Sequence, residues 1–194
     1  MRTSKRTKIL EAALRVIGQG GVTALTFESV AEESQLTKSG LMYHFPTREA
    51  LLRGIHEHLA AQWEDAMIEA AGAPAAELSE TERLTAYAQV TIASASRTEL
   101  LLMLETANDP ELHQPWQEVL DRWTPAAPVD RELSAVELEQ IVARFAADGL
   151  WGSEALASTG LSARARQQVA TLIAQRLRAA SEPTTGQNRT EAYA

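Results

Sequence analysis

The chain has 194 residues and no cysteine, which excludes disulfides, thiolate metal sites and a cysteine nucleophile. That length suits one large domain or a small domain joined to a larger one, with a core that needs no covalent staple. The formal net charge is −8, yet residues 1–60 hold eight Lys/Arg against six Asp/Glu, while residues 61–194 hold ten against twenty.

All three lysines, Lys5, Lys8 and Lys38, fall in the first segment. The asymmetry fits a small nucleic-acid module carried on an acidic body, or else a solvated surface with a chance excess of acid. No stretch approaches the roughly 18 apolar residues of a membrane span. The N-terminus from Met1 to Lys8 is basic, but Glu11 and Arg15 interrupt the apolar residues behind it, so no signal peptide is expected and the chain reads as cytoplasmic.

Nearly every segment reads as helix. Ile9, Ala12, Ala13, Val16 and Ile17 recur at helical spacing, and Gly18, Gly20 and Gly21 stop that first helix. Thr26 is placed to cap a short helix running to about Ser34, and Thr37 a second one of about seven residues. Pro46 ends it. Thr47 then opens a long amphipathic helix with Leu51, Leu52, Ile55, Leu59, Trp63 and Met67, ending near Ala71.

Gly72, Ala73 and Pro74 mark a loop, and Ser79 or Glu80 starts the next helix. The apolar run from Leu100 to Leu104 reads as buried core. Asp109-Pro110 reads as cap and first turn, with Pro115 either delaying or kinking the helix behind it. Pro125 and Pro128 bound a loop, Ser134 caps a helix to about Ala157, and Ser162 caps the last, which carries Val169, Leu172, Ile173 and Leu177 on one face. Residues 181–194 are polar, with Pro and Gly, and read as a tail without fixed structure. There is no internal repeat and no strand pattern. The expected fold is all-α, in three parts: a helix-turn-helix unit at 1–46, a larger helical domain at 47–180, and the tail.

The stretch TFESVAEESQLTKSGLMYHFPTREAL at 26–51 carries the chemistry. Two short helices flank a tight turn at Ser34 to Thr37. Phe27, Val30, Ala31 and Leu36 are expected to pack on Ile9, Ala13 and Ile17, with Leu41 and Phe45 holding the second helix to the same core. Its other face shows Lys38, Ser39, Met42, Tyr43 and His44: donors, a cation and two rings. A helix start at Thr37 and Lys38 favours phosphate, and Ser39 with Lys38 suits the edges of bases in a major groove.

This stretch, with residues 5–52 around it, resembles the TetR family of bacterial repressors. The N-terminal run Met1 to Lys5, SGLMYHFPTREALL and the later AADGLW resemble in particular its CgmR-type multidrug-binding members. The resemblance implies three reader helices, a fourth helix as link, and a ligand and dimerisation domain of six helices. It implies that Lys5, Thr26, Thr37, Lys38, Tyr43 and His44 contact or support the DNA backbone. Ser39, Gly40 and Leu41 would lie at or near base edges. Double-stranded operator DNA, a second copy of the chain and a small effector are the implied partners.

All four tryptophans, Trp63, Trp116, Trp123 and Trp151, lie outside the reader unit. With the resemblance, Trp63, Met67, Leu100, Met103, Trp116, Phe145, Asp148 and Trp151 are the expected ligand wall, and Glu105 and Asp109 are expected nearby. Aromatic faces with carboxylates suit flat, cationic, lipophilic compounds. The implied function is a repressor released from a palindromic operator by such an effector and controlling an efflux gene. A helical regulator with another effector or none is the alternative.

His44, His56, His58 and His113 are scattered, and no nucleophile-elbow, zinc-protease or phosphate-loop motif occurs, so no metal, cofactor or catalytic residue is expected. An all-α enzyme and a module recruiting only a protein partner are the rival classes.

Overall fold

Capping chemistry divides the chain into helices. The computed structural model describes residues 4–126, 131–157 and 159–181, and among them nine α-helices and no strand. They are α1 (Lys5–Gly20), α2 (Phe27–Ser34), α3 (Lys38–His44), α4 (Arg48–Ala71), α5 (Glu80–Ala93), α6 (Arg97–Glu105), α7 (Pro110–Trp123), α8 (Ala135–Leu156) and α9 (Ala163–Ser181).

Each begins behind a Ser, Thr or Asp whose side chain accepts an otherwise orphaned backbone N–H. Ser4, Thr26, Thr37, Thr47, Ser79, Ser96, Asp109 and Ser134 cap the first eight. Ser162 Oγ accepts from Ala165 N at 3.2 Å in the ninth. Gly21 (φ +75°) and Gly72 (φ +80°) close α1 and α4 in backbone conformations that side chains disfavour.

Helices α1, α2 and α3 close around Ile9, Leu10, Ala13, Ile17, Val30, Leu41 and Phe45, joined by Leu51 and Ile55 of α4. The expected inward packing of the helix pair is therefore present. Helix α4 continues into the second core, where α5 packs against α4, α8 and α9. Trp123, Leu84 and Ile92 are fully buried there. No described helix is long and apolar enough to cross a membrane.

Two expectations need correction and one open alternative narrows. The run 100–104 is not continuous core: it lies on α6, which buries Leu102 and leaves Leu104 63% exposed, because a helix turns successive residues to different sides. Helix α7 starts at Pro110 with Pro115 inside it, so of the two readings left open for Pro115 the delayed start is excluded. Ser181, expected in the tail, is the last residue of α9, and the rest of the expected tail, 182–194, lies outside the described residues.

Candidate nucleic-acid interface and helical cavity

The outer face of α3 is built by the turn before it. Gln35 takes the left-handed conformation (φ 54°), which ends α2 and swings the chain so that Thr37 caps α3. Thr37 Oγ1 accepts from Gly40 N at 3.1 Å and lies 3.2 Å from Ser39 Oγ. A Cβ on Gly40 would sit 3.1 Å from that same Thr37 oxygen, so this glycine serves the tight first turn.

Lys38, Ser39, Met42 and Tyr43 face water, Tyr43 at 85% exposure, and His44 sits edge-on to the Tyr43 ring with centroids 5.3 Å apart. Lys5 and Thr26 are also exposed. Leu41 is not: it is fully buried in the core cluster, so it is corrected from a base-edge residue to a core residue. One residue without a sequence signal is Glu28, on the first turn of α2, whose carboxylate pairs with the Lys38 ammonium.

The reader unit is tied to α4 by polar and apolar contacts. Arg48 donates to the carbonyls of Leu25 (3.2 Å) and Val22 (3.0 Å). Arg6 lies over the Phe45 ring at 5.2 Å and bonds Glu57 at 3.2 Å. Phe45 packs against Gly54, where a Cβ would come within 2.5 Å of the ring.

Beyond this joint, α4 to α8 line a half-open cavity of about 310 Å³. Its wall brings together Trp63, Tyr87, Met103, Trp116, Leu120 and Trp151, with Glu99, Arg144 and Asp148 as its charged groups. The size lies at the small end of ordinary small-molecule sites. Ring centroids of Trp63 lie 5.4 Å from Tyr87 and 5.9 Å from Trp116, so three aromatic side chains form one continuous apolar surface.

Asp148 accepts from the Tyr87 hydroxyl and lies 3.7 Å from Arg144 Nε. Burial, then the Asp148 charge, pushes the Tyr87 hydroxyl above its ordinary range, so it stays a donor. Glu99 carries a carboxyl that burial pushes up to about 7.

Five of the eight expected ligand residues meet here: Trp63, Met103, Trp116, Asp148 and Trp151. The other three do not. Met67 is fully buried in the core, Leu100 lies off the wall on α6, and Phe145 is 67% exposed on the outside of α8. Glu105 and Asp109 are exposed at the α6–α7 corner and leave the cavity's acidity to Glu99 and Asp148. Glu99 and Tyr87 gave no sequence signal, because a lone Glu or Tyr on a helix is ordinary. Only their convergence with Trp63 and Trp116 marks them.

Residues 9–55 match the bacterial regulatory proteins of the tetR family, and residues 81–178 match the tetracyclin repressor-like C-terminal domain. The chain belongs to the TetR family. It is a DNA-binding transcriptional regulator of the TetR type, with the family's helix-turn-helix unit at its N-terminus, and not an enzyme. A comparison with curated proteins finds no match.

Solved TetR-like structures share the fold at low identity. The multidrug binding protein EbrR complexed with imidazole is 20% identical, with a TM-score of 0.57, over 95% of this chain and 99% of that one. The regulator SCO7518 from Streptomyces coelicolor A3(2) is 23% identical, with a TM-score of 0.56, over 89% and 97%. A transcriptional regulator from Pseudomonas aeruginosa PAO1 is 16% identical, with a TM-score of 0.64, over 90% of each chain.

Proposed function

We propose that this TetR-family regulator is a homodimeric repressor that leaves a palindromic operator when a small, cationic, aromatic effector enters the cavity. The observation that carries this reading is the wall itself: Trp63, Tyr87, Trp116 and Trp151 with carboxyl groups on Glu99 and Asp148. Flat rings stack on such faces, and a positive charge is drawn both to the rings and to a carboxylate. EbrR, described as a multidrug binding protein and solved with malachite green, supports the effector class as an analogue. Control of an efflux gene rests on the same analogy.

The reader face fits the same reading. Lys5, Thr26, Thr37, Lys38, Tyr43 and His44 serve the phosphate backbone, and Ser39 reaches base edges beside Gly40. Dimerisation uses α8 and α9. Leu138, Val142, Phe145 and Gly149 fall at spacings of four, three and four along one exposed face of α8, and Leu172 is exposed on α9. Such faces from two copies form a four-helix contact. Ile173 and Leu177 take no part in it, because both are buried within the chain.

Helix α4 joins both functions, since Trp63 lines the cavity while Leu51 and Ile55 sit in the reader core. Two reader heads must stand about 34–36 Å apart to enter successive major grooves, so an α4 displaced at Trp63 spoils the spacing without touching DNA. Coupling of this kind is reciprocal: operator weakens effector binding by the factor with which effector weakens operator binding.

The test is to select an operator from random duplexes, then measure its affinity with and without tetraphenylphosphonium, a permanent cation that does not intercalate. Operator affinity should fall in wild type and respond far less in Trp63→Ala, whose cation-free operator affinity stays near wild type. Unchanged operator affinity at saturating cation would remove the mechanism.

A further inference from the structure

The cavity holds two carboxyl groups, and they are not equivalent. Asp148 is already matched: the Tyr87 hydroxyl donates to one of its oxygens and Arg144 lies 3.7 Å from the other. A positive ligand that approached Asp148 would meet the Arg144 charge beside it. Glu99 is different. Its backbone N–H is taken by the cap Ser96 at 3.3 Å, but among the described residues its carboxyl takes no hydrogen bond and no ion pair. It also lines a crevice against α1, next to Leu14, Arg15 and Gly18, so it sits where the cavity reaches the reader unit.

The charged and titratable groups facing it are few. From α1, Arg15 is engaged by Glu33 at 2.5 Å. From α5, Tyr87 donates to Asp148, and from α8, Arg144 Nε lies 3.7 Å from Asp148, an ion pair without a hydrogen bond among the described residues. Helices α4 and α7 present Leu59, Trp63, Trp116 and Leu120, which do not titrate. An unmatched carboxyl in such surroundings keeps its proton more readily than one in water.

Resting on the cationic-effector reading above, we propose that Glu99 is the effector's charge partner and that a monocation enters the cavity in exchange for the Glu99 proton. The O–H bond of the acid ionises, the proton leaves to solvent, and the carboxylate left behind pairs with the cation. No electron moves. Burial alone sets the Glu99 carboxyl near 7, so the exchange falls within the range of cytoplasmic acidity. On the acid side of neutrality the empty site is close to uncharged overall, with the Arg144–Asp148 pair balanced and Glu99 protonated, which spares the protein a lone charge in a half-buried position.

The experiment is calorimetric titration of the DNA-free protein with ethidium, a flat cation that does not itself titrate near neutrality. It is run at pH 7 in buffers of different ionisation enthalpy and repeated from pH 6 to pH 8. Tetraphenylphosphonium is a second cation, and phenanthridine is the uncharged control. A group titrating near 7 predicts release of about half a proton per cation at pH 7, and an affinity that rises about tenfold from pH 6 to pH 8.

Glu99→Gln, which copies the protonated acid in shape, should abolish proton release, flatten the pH dependence and weaken ethidium about tenfold or more at pH 8. Asp148→Asn should still release the proton. Thermal melts check that both variants fold, and wild type alone still decides the proton count. Binding of either cation without proton release, or equal affinity in Glu99→Gln at pH 8, would overturn the exchange while leaving the cationic class intact. If neither cation binds at pH 8, the cationic class falls and the exchange falls with it.

Discussion

The indole Nε1–H of Trp116 donates to Nδ1 of His56 at 2.9 Å. The other ring nitrogen, Nε2, lies 3.3 Å from Thr106 Oγ1, and that hydroxyl donates to the Leu102 carbonyl at 2.8 Å. The network assigns the imidazole proton to Nε2, because Nδ1 must accept and Thr106 has spent its own proton. A cavity-wall residue on α7 is thereby joined to the middle of α4 and to the end of α6 by neutral hydrogen bonds. Burial, helped by His113, pushes the fully buried His56 down to about 4.

That shift fixes a pH dependence. The folded His56 titrates below its ordinary value of 6.5, so on acidification the unfolded chain takes up a proton first. The stabilisation is complete above about 6.5 and is lost as the pH falls towards 4, by about 3 kcal/mol in total. Denaturant melts at pH 7.5 and pH 5 should show it. His56→Phe should flatten the dependence and cost about 1–3 kcal/mol at pH 7.5, by orphaning the Trp116 donor. An unaltered pH profile in that variant would count against the assignment.

The Lys38–Glu28 pair bears on DNA affinity. On the proposed reading Lys38 exchanges this carboxylate for a phosphate or a base edge, while Glu28 is held below the usual carboxylate range chiefly by its hydrogen bond to Lys38. Lys38→Ala should weaken operator binding and lower the slope of log affinity against log salt by about one. Glu28→Gln should strengthen binding several-fold, since one competitor and one negative charge leave the face. Fluorescence anisotropy between low and moderate salt reads both. Equal affinity of Glu28→Gln and wild type at every salt concentration would separate Glu28 from the interface.

Gly54→Ala tests the joint between reader and link. The new Cβ would fall 2.5 Å from Phe45 Cε1, and the ring is itself buried, so the overlap must be relieved by moving helix against helix. Overpacking of this sort costs about 1–3 kcal/mol. The expected result is a lower melting temperature together with weaker operator binding. A variant as stable as wild type would show that the joint is looser than its geometry.

The outward face of α8 predicts an oligomeric state. Phe145→Asp, or Val142→Asp, places a charge on the face at Leu138, Val142, Phe145 and Gly149. Either should shift sedimentation from dimer towards monomer at micromolar concentration while far-UV circular dichroism is kept. A wild-type monomer at that concentration would remove the interface.

Most helix starts were legible in the sequence because their cause is local, although Ser4 and Ser96 were not singled out as caps. Thr26, Thr37, Thr47, Ser134 and the other caps act on N–H groups two or three residues away, so no knowledge of the rest of the chain is needed. The three-helix reader was legible too, because its core repeats at short range from Ile9 to Phe45. Which way a side chain turns is decided by distant helices. Leu41 and Tyr43 are two apart on one short helix, yet one is sealed in the core and the other is almost free. Phe145 and Trp151 share α8, yet only Trp151 meets α5 and α7 across the cavity. Glu99 was invisible for the same reason, since a carboxyl becomes unusual only when other elements take away its water.

The seat of Phe45 on Gly54 turns the reader and α4 into a lever. Phe45, the residue that ends α3, is seated on Gly54 in the second turn of α4, so turning either helix strains that contact. Helix α4 has 24 residues and is about 36 Å long. A swing of about 5° about its far end therefore carries the α3 end through about 3 Å, roughly the rise of one base pair. Trp63 lies eight residues, about 12 Å, from that far end, so in the proposed mechanism a shift of about 1 Å there is enough to cost the reader its register on DNA.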